Sequence, residues 1–570
     1  MSPNTAPAGR SPSPIDQLAE RYHDGVVALS PILATSLGVK GHDAELDDFS
    51  PAAQQTRIDL VRQSLARLDK LTPQDSTDQV TAAALRERLG LELELDQAGE
   101  FTRNLNNVDS PIQYIRDVFD LMETTTEHDW ATIARRLAAV PEALRSYART
   151  LDLGLRTGQL PAGRQVSVGI GQAEELAQAG SSLDQLAQRG AAQVGPALAG
   201  DLAVAASEAR RGFADLAEHL ATQIAPAAPK PDGVGRERYK LWSRYFLGTA
   251  VDLDQTYQWG LDQLEAITAE QGDLAQALYG QGTSVEAAYQ RLDQDPRYTL
   301  TGADALERYM NDLANQAMSE LDGTSFDLPE PVKRLEGRIA PSGSGGIYYT
   351  APTEDFSRPG IMWWSVPAGI ETFHTWRERT TVFHEGVPGH HLQLGLATYL
   401  ADSLNRWRRL GLWCSGHGEG WALYAEALMG ELGFMDDAGD RLGMLDAMRL
   451  RAARVALDIG VHLGKDFPKR WGGGGRWDAA KAHRFLRANV AMDDSFVDFE
   501  LERYLGWPGQ APSYLIGLQQ WQDLRRSCQA AAEAGGANFD LKSFHAQALA
   551  LGSLGLDTLR QALLGLPDVV

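Results

Sequence analysis

The chain has 570 residues, of which 43% are hydrophobic and 23% charged, the proportions of an ordinary globular protein. Its 53 basic and 76 acidic residues give a formal net charge of −23, which argues against nucleic acid and anionic lipid as partners because both would be repelled. No stretch approaches the ~20 apolar residues of a membrane-spanning helix, so we expect no membrane partner.

The N-terminal segment 1–14 is rich in Ser, Pro and Ala and has no apolar run. We therefore expect it to be disordered rather than a secretory signal. Two cysteines, Cys414 and Cys528, cannot build a disulfide framework, and their number predicts a reducing, cytoplasmic location.

From Ile15 to about Gly280, apolar residues recur at three- and four-residue spacing between charged residues. This pattern predicts helices joined by short Pro- and Gly-containing turns, and no fixed repeat indicates a solenoid. The Pro-rich segment 225–233 predicts a linker between an N-terminal helical lobe, 15–224, and a second lobe, 234–570, that carries the candidate site.

The period changes after the helical segment that ends near Leu321. Two short runs rich in β-forming residues, 347–352 and 361–366, are separated by turn residues, and they predict a small hairpin or sheet. The predicted fold class is therefore mainly α with a small β element.

The segment Phe383–Gln393 carries the strongest chemical signal. It begins with an adjacent His384–Glu385 pair, and imidazole beside a general-base carboxylate is the arrangement that zinc peptidases use. The usual helical form places a second histidine four residues after the first. Here that position is Pro388, which lacks the backbone N–H that a helix needs.

Two later histidines, His390 and His391, could supply the second ligand. In an unbroken helix His390 would lie about 240° around the axis from His384, and His391 would lie roughly 10 Å further along it, too far for two Zn–N bonds. A zinc site therefore requires a bulge or kink at the Pro388–Gly389 step. The alternative is that this step merely ends one helix and begins another.

A second segment, Gly418–Glu426, predicts a helix with Glu419 in its first turn and Glu426 on nearly the same face. A two-histidine zinc site needs a third protein ligand, and a Glu from a following helix is a common source. Alternatively, Glu419 is only a first-turn carboxylate that the helix dipole favours.

Further along, Arg451, Arg454 and Asp458 share one helix face, with His462 one turn later. Because the segment is otherwise apolar, we expect a buried Arg–Asp pair rather than a surface ion pair. His462 is then a candidate proton donor or oxyanion contact, or simply a structural residue.

The two motifs together, 384–393 and 419–426, resemble the bacterial domain-of-unknown-function 885 family, which is grouped with the gluzincin metallopeptidases. Residues 418–426 also resemble the Asn-Glu-Gly-Phe-Ala-x-Tyr-x-Glu stretch of aminopeptidase N-type enzymes, which implies that Glu419 is the third zinc ligand. The resemblance extends over most of residues 15–565, although only the two motifs are specific.

The same resemblance bears on the second ligand. Gly389 followed by His390 is similar to the small residue–His ending of many gluzincin helices, which favours His390 over His391. The insert between the histidines is longer than in those helices, so the choice between them stays open. A thiolate from Cys414 would duplicate a ligand set already complete, and we expect that cysteine to be structural.

The family resemblance implies a two-lobed helical fold around a deep cleft, similar to angiotensin-converting enzyme and thimet oligopeptidase. In such a site His384, His390 and Glu419 hold Zn²⁺ and leave a position for water. Glu385 then acts as the general base in peptide-bond hydrolysis.

A stretch at 507–517 resembles another segment common in this family. Related gluzincins bring a Tyr from a C-terminal helix to the oxyanion, which implies that role for Tyr514, with His462 as a second contact. Alternatively, Tyr514 packs in the core. The predicted hairpin would bind a substrate backbone by strand addition, or would be purely structural.

The sequence thus predicts a zinc metallopeptidase that acts on short peptides. One alternative is a metal-dependent hydrolase of a non-peptide amide or ester, since the same apparatus polarises any carbonyl. A second is a catalytically inactive helical protein that binds peptides.

Overall fold

The computed structural model describes residues 10–340, 346–367 and 369–565. Helices make up 68% of the structure and strands 4%, which confirms the mainly α prediction with a small sheet. No helix among the described residues is long and apolar enough to cross a membrane.

Twenty-two α-helices lie in the described ranges: α1 (Pro14–Leu29), α2 (Pro31–Ser36), α3 (Pro51–Leu68), α4 (Ser76–Gln97), α5 (Pro111–Asp117), α6 (Glu127–Thr157), α7 (Gly163–Ala177), α8 (Ser182–Ala191), α9 (Pro196–His219), α10 (Arg236–Leu247), α11 (Leu253–Tyr279), α12 (Val285–Gln294), α13 (Ala303–Leu321), α14 (Thr375–Glu385), α15 (His390–Tyr399), α16 (Ser415–Glu431), α17 (Ala438–His462), α18 (Ala479–Asn489), α19 (Asp494–Gly506), α20 (Ser513–Ala534), α21 (Leu541–Ala550) and α22 (Leu556–Leu564). Five short strands accompany them: β1 (Thr299–Thr301), β2 (Leu335–Ile339), β3 (Ile347–Thr350), β4 (Gly360–Trp364) and β5 (Thr372–His374).

The helix boundaries follow local capping chemistry. The hydroxyl of Ser13 accepts hydrogen bonds from the backbone N–H groups of Ile15 and Asp16 at the start of α1, which satisfies donors that the helix itself leaves unpaired. The long helix α6 begins at a Thr126 cap and ends at Gly158, whose φ of 69° is the left-handed conformation common at helix ends.

Residues 10–14 of the N-terminal segment, for which disorder was expected, are ordered by contacts with distant residues. Residues 1–9 lie outside the described residues, but the Arg10 guanidinium pairs with the carboxylates of Asp16, Asp75 and Asp78. These partners lie up to 68 residues away in sequence, so composition alone could not reveal that residues 10–14 are held in place.

Two large hydrophobic cores organise the molecule. The smaller one is built from α5 to α9, with Ile133, Leu137 and Phe213 fully buried in it. The larger one unites α1, α3 and α4 with the helices from α10 onward except α12, which packs in a small third cluster. The cores therefore do not divide the chain between the predicted lobes 15–224 and 234–570, because periodicity identifies an apolar face without specifying its packing partner.

The predicted linker connects the two cores and contacts both sides. The backbone N–H of Gly163 donates to the carbonyl of Pro229 at 2.8 Å, and the N–H of Gly235, just after the segment, donates to the carbonyl of His462 at 3.0 Å. The chain is thus held at Pro229 within the segment and at Gly235 just beyond its end.

The predicted hairpin is present and is part of a larger sheet. Strand β4 pairs antiparallel with β3 and parallel with β2, giving the order β2-β4-β3, and β1 pairs with β5 in a separate ribbon. The sheet packs against the candidate metal motif, since a Cβ added to Gly386 would lie 2.9 Å from the sulfur of Met362 in β4.

Helices α16 and α20 approach at their glycines. A Cβ on Gly420 would lie 2.5 Å from the carbonyl carbon of Gly517, and one on Gly517 would lie 2.2 Å from the carbonyl oxygen of Gly416. No side chain fits between the two backbones at this crossing, so the contact sets the distance between the two helices.

We predict that Gly420→Ala destabilises the protein by about 1–3 kcal/mol, because the new methyl group forces the two backbones apart. Gly430→Ala is the matched control on the same helix, where an added Cβ would meet no atom within 4 Å; it should be neutral or stabilising by up to about 1 kcal/mol. Denaturant unfolding of both variants measures the difference, and equal stabilities would contradict the close-packing argument.

Candidate metal centre

Three side chains from three successive helices converge at one point. His384 lies near the end of α14, His390 is the first residue of α15, and Glu419 is the fifth residue of α16, just beyond the first turn in which the sequence predicted it. One ligand atom from each lies within 4.8 Å of the other two, and no other group of this kind occurs in the described residues. We call these three residues the triad.

The triad has a defined geometry. The Nε2 atoms of His384 and His390 each lie 3.4 Å from Oε2 of Glu419. The two imidazole rings are perpendicular, with centroids 4.9 Å apart, and their Nε2 atoms approach the same carboxylate oxygen. The predicted ligand set is thus brought together in space.

The Pro388–Gly389 step makes this convergence possible by separating two helices. The helix α14 ends at Glu385, and the N–H of Gly389 then turns back to donate to the carbonyl of Phe383 at 3.0 Å. A Cβ on Gly389 would lie 1.9 Å from the carbonyl oxygen of His384, so only glycine allows the chain to return this closely. One helix does end here and another begins, and His390 nevertheless comes back to face His384.

Trp421 secures the same step from the next helix. Its indole N–H donates to the carbonyls of Pro388 at 2.9 Å and Gly389 at 3.3 Å. These carbonyls lie between two helices and are otherwise costly to bury, so the indole satisfies a polar group that the turn exposes to the core.

The structure brings His390 rather than His391 to the triad. The imidazole of His391 is fully buried, its Nε2 donates to the carbonyl of Val332 at 2.6 Å, and its Nδ1 lies 2.9 Å from the hydroxyl of Tyr349 in β3. Burial lowers the pKa of His391 to about 4, so this ring is neutral and both of its nitrogens are occupied. It holds the small sheet against the motif.

Glu426 orients the first histidine. Its Oε1 lies 2.7 Å from Nδ1 of His384, its Oε2 accepts a hydrogen bond from the hydroxyl of Thr380, and Arg451 lies 3.4 Å from Oε1. Burial opposes ionisation, yet Arg451 and His384 hold the pKa of Glu426 below its usual value. A carboxylate that binds Nδ1–H leaves Nε2 free as the ligand atom.

The triad fits a divalent cation by its donor chemistry and by an unpartnered carboxylate oxygen. Oε2 of Glu419, which the Nε2 atoms of both histidines approach, is buried without a hydrogen-bond partner among the described residues. Burial disfavours a charged imidazole, but Glu419 and Glu426 raise the pKa of His384 to about 10. The site therefore attracts positive charge, and two imidazoles with one carboxylate form a ligand set that suits zinc.

Glu385 stands beside the triad as the last residue of α14. Its side chain is buried, and burial raises the pKa of its carboxyl group, an effect that the imidazoles of His384 and His390 oppose. A carboxylate with a raised pKa is a more effective general base near neutral pH.

Tyr514, the second residue of α20, lies on the side of the molecule near Glu419. Burial and the charge of Glu419 raise the pKa of its phenol, while Arg503 and Arg454 oppose that shift. The Arg503 guanidinium donates to the phenol oxygen at 3.3 Å. The predicted oxyanion residue is therefore in the electrostatic neighbourhood of the triad.

His462 does not belong to the triad. Its side chain is fully buried, its Nε2 donates to the carbonyl of Tyr504 at 3.0 Å, and its ring stacks on Tyr239 with centroids 5.6 Å apart. Burial lowers its pKa to about 4. These contacts describe a neutral packing residue, and they give no support to the predicted role in proton donation.

The predicted Arg–Asp pair is buried but takes other partners. Arg454 donates to Glu500 at 2.7 Å, while Oδ2 of Asp458 accepts from the Tyr239 hydroxyl at 2.6 Å and from the N–H of Gly509 at 2.9 Å. Residues on one helix face share a direction, but each binds the partner that the neighbouring helix supplies. Cys414 is likewise structural, since its thiol is buried and donates to the carbonyl of Phe246.

A cavity of about 780 Å³ lies near the start of α16, where Trp413 and Ser415 line it, and no triad residue is among its lining residues. Its walls come from α1, α3, α4 and α10 and from segments 100–109, 229–234 and 505–510, so it lies between the two cores. Trp413 lines it while its ring lies 6.0 Å from that of His390, and this indole is 45% exposed. Trp413 is therefore a lining residue of the cavity that also packs beside the triad, a placement that no sequence signal indicated.

The family described as "Bacterial protein of unknown function (DUF885)" matches residues 31–563. The chain belongs to this family. No curated protein matches it at a significant level.

Two solved structures share the fold over nearly the whole length. One is described as "the putative lipoprotein from Colwellia psychrerythraea", with 21% identity, a TM-score of 0.83 and coverage of 96% of this chain and 98% of that one. The other, described as "a putative lipoprotein of unknown function from Shewanella oneidensis", has 16% identity, a TM-score of 0.72 and coverage of 97% and 100%. At these identities the likeness establishes the fold and leaves the chemistry to the site itself.

We predict that Glu426→Gln weakens zinc binding by about 10- to 100-fold, because the amide no longer supplies the charged partner that orients His384. Glu431→Gln is the control, since Glu431 lies on the same helix but is half-exposed and pairs with Arg525. Competition with a chelator measures both affinities. Equal affinity for wild type and Glu426→Gln would show that this carboxylate has no part in holding the ligand.

We also predict a pH-dependent stability change for Asp458→Asn. Burial raises the pKa of Asp458 to about 7, above its value of about 3.9 in an unfolded chain. The folded protein therefore loses stability as the pH rises from about 4 to about 7, whereas the asparagine variant does not lose this contribution. The amide oxygen can still accept both bonds made by Oδ2, and Oδ1 has no partner to lose among the described residues.

The free energy of unfolding of the variant relative to wild type should accordingly rise between pH 5 and pH 7, by at most about 1.4 kcal/mol per pH unit. Urea unfolding at several pH values measures it. A difference that stays constant over this range would mean that Asp458 is ionised in the folded protein throughout.

Proposed function

We propose that this protein is a zinc-dependent metallopeptidase that hydrolyses short peptides. The observation that carries the proposal is the convergence of two imidazoles and a carboxylate within 4.8 Å, with Glu385 adjacent to the first ligand. Imidazole and carboxylate ligands with one position left for water are typical of catalytic rather than structural zinc sites.

Zn²⁺ held by His384, His390 and Glu419 would act as a Lewis acid toward water and toward the scissile carbonyl. Glu385 accepts the proton of the attacking water and delivers it to the leaving nitrogen. The raised pKa of this carboxyl group supports both steps, because the protonated form must persist long enough to act as an acid.

The phenol of Tyr514 donates a hydrogen bond to the oxyanion of the tetrahedral intermediate. Such a donor contributes about 2–4 kcal/mol when water is excluded, and the half-buried position of Tyr514 at the start of α20 supports that role.

The cavity supports a short peptide as the substrate. Its volume of about 780 Å³ falls in the range of ligand pockets rather than of open protein-binding clefts, and Trp413, which lines it, packs with its ring 6.0 Å from that of His390. Two free cysteines, one of them buried, support the cytoplasm as the working compartment.

We predict that Glu385→Gln lowers the rate of hydrolysis by about 100-fold or more, while one zinc per chain stays bound. His384→Ala should lose both zinc and activity. Glu378→Gln is the matched control: Glu378 is a carboxylate of the same helix that accepts from the Trp364 indole at 2.8 Å, a bond that an amide oxygen also accepts. Metal analysis and mass spectrometry of a short-peptide library provide the two measurements.

The outcomes separate the candidate functions. Cleavage of acyl amides or esters without cleavage of peptides would favour a non-peptide hydrolase. A wild-type protein that binds peptides but holds no stoichiometric zinc, and that is unaffected by Glu385→Gln, would be an inactive binding protein and would refute the proposal.

A further inference from the structure

A buried ionic cluster lies behind Tyr514. Arg454 donates to Glu500 and to the hydroxyl of Tyr504 at 2.7 Å each, Tyr504 donates in turn to Glu500, and Arg503 donates to Glu500 at 3.2 Å. The side chains of Arg454, Glu500 and Arg503 are only 8%, 3% and 14% exposed. We call Arg454, Glu500, Arg503 and Tyr504 the arginine cluster.

The arginine cluster contains one more positive charge than negative charge. Burial opposes ionisation of Glu500, yet the two guanidinium groups hold its pKa at about 2, so it contributes one negative charge against two positive ones. The excess charge faces Tyr514, whose ring centroid lies 4.9 Å from the Arg454 guanidinium carbon and 5.9 Å from that of Arg503. Cations over an aromatic face are attracted to it and fix its orientation.

The donors of Arg503 are directed at the protein rather than at the cavity. One terminal nitrogen donates to the side-chain oxygen of Gln510 at 2.7 Å and to the phenol oxygen of Tyr514 at 3.3 Å, and the other donates to Glu500. The terminal nitrogens of Arg503 therefore bind the side chains of Gln510, Tyr514 and Glu500.

This arrangement leaves the phenol hydrogen of Tyr514 without an acceptor among the described residues. The phenol oxygen of Tyr514 accepts from Arg503, and no described residue accepts the phenol proton. A hydroxyl that accepts from a cation becomes a stronger donor, because hydrogen bonds in series polarise one another in a low-dielectric interior.

Two serine hydroxyls join the start of α16, which carries Glu419, to the start of α20, which carries Tyr514. The hydroxyl of Ser415, four residues before Glu419, lies 2.8 Å from that of Ser513, the residue before Tyr514, and Ser513 donates to the carbonyl of Gln510. Arg503 binds the side chain of the same Gln510, so it also holds the turn that precedes Tyr514.

We propose that Arg503 is a positioning residue of the metal centre, which holds Tyr514 and polarises its phenol toward an anion that forms or binds beside the triad. The inference rests on the proposed function and deepens it, since it names the group that activates the oxyanion donor. Arg503 acts through Tyr514 and does not itself contact the substrate.

The test is a double-mutant cycle on the zinc-loaded protein. Tyr514→Phe should lower kcat by about 100-fold, and Arg503→Met by about 10-fold, with KM little changed in each case. If Arg503 acts through the phenol, Arg503→Met should cause no further loss in the Tyr514→Phe background. Arg503→Lys, which retains the charge but not the planar fork, should recover part of the loss.

The control is Arg526→Met on the same helix as Tyr514. Arg526 is exposed and pairs with Asp523, so its replacement removes a charge from α20 without touching the arginine cluster. Its kcat should equal that of wild type. Circular dichroism and zinc content verify that each variant is folded and loaded.

A second measurement needs no turnover. Acetohydroxamate, a small anion that binds zinc, should bind the zinc-loaded wild type more tightly than either Tyr514→Phe or Arg503→Met, and calorimetry should again show no additional loss in the double variant. This readout keeps the proposal testable whichever peptide is the physiological substrate.

The outcomes distinguish a failure of the role proposed for Arg503 from a failure of the peptidase proposal. The role of Arg503 would be overturned if the losses of kcat and of acetohydroxamate affinity were additive in the double variant. It would also be overturned if Arg503→Met kept the wild-type kcat and affinity while Tyr514→Phe lowered both. Either result would leave the peptidase proposal intact. A wild type without zinc, or one whose hydrolysis survives Glu385→Gln, would refute the peptidase proposal and this inference with it.

Discussion

The candidate metal centre depends on the turn between α14 and α15, where the backbone passes close enough to itself for His390 to face His384. The near-contact of Gly389 with the His384 carbonyl admits no side chain, and the carbonyls that the turn leaves unpaired are bound by the indole of Trp421. Trp421 lies two residues from Glu419 on the same helix. The helix α16, which carries Glu419, therefore also stabilises the turn that places His390. The three residues of the triad thus form one packed unit rather than three independent side chains.

Concentrated buried charge is the second constraint. Glu385, Glu419 and Glu426 are all buried or nearly so within one small region, and Arg451 is the cation that lies near Glu426. Carboxylates removed from water are costly unless a positive charge offsets them. Glu419 and Glu426 raise the pKa of the His384 imidazole, and a divalent cation would compete with a proton for the same nitrogen. Metal binding at this site would therefore be coupled to proton release and to the stability of the fold around it.

Much of the architecture and of the ligand set was predictable from sequence, because both leave local signals. Helical spacing, β-rich runs and the two motifs are each readable within about twenty residues, and the structure confirms the helices and the hairpin and brings the predicted ligands together. Other features depend on distant partners. His391 is excluded from the triad by Val332 and Tyr349, 59 and 42 residues away, and His462 is occupied by Tyr504. The two cores mix segments that the predicted lobes separated, since an amphipathic face does not specify what covers it.

The helix α16 connects these parts physically. Glu419 faces the metal position, Trp421 binds the α14–α15 turn, Glu426 orients His384, and Gly420 sets the approach of α20, which carries Tyr514. A rotation of this helix by one residue, about 100°, would move all four at once. The backbone contact at Gly420 and Gly517 leaves no room for such a rotation or for a displacement toward α20. The position of the Tyr514 phenol relative to the triad is therefore set by helix packing, and the arginine cluster packs against a phenol whose position the glycine crossing has already determined.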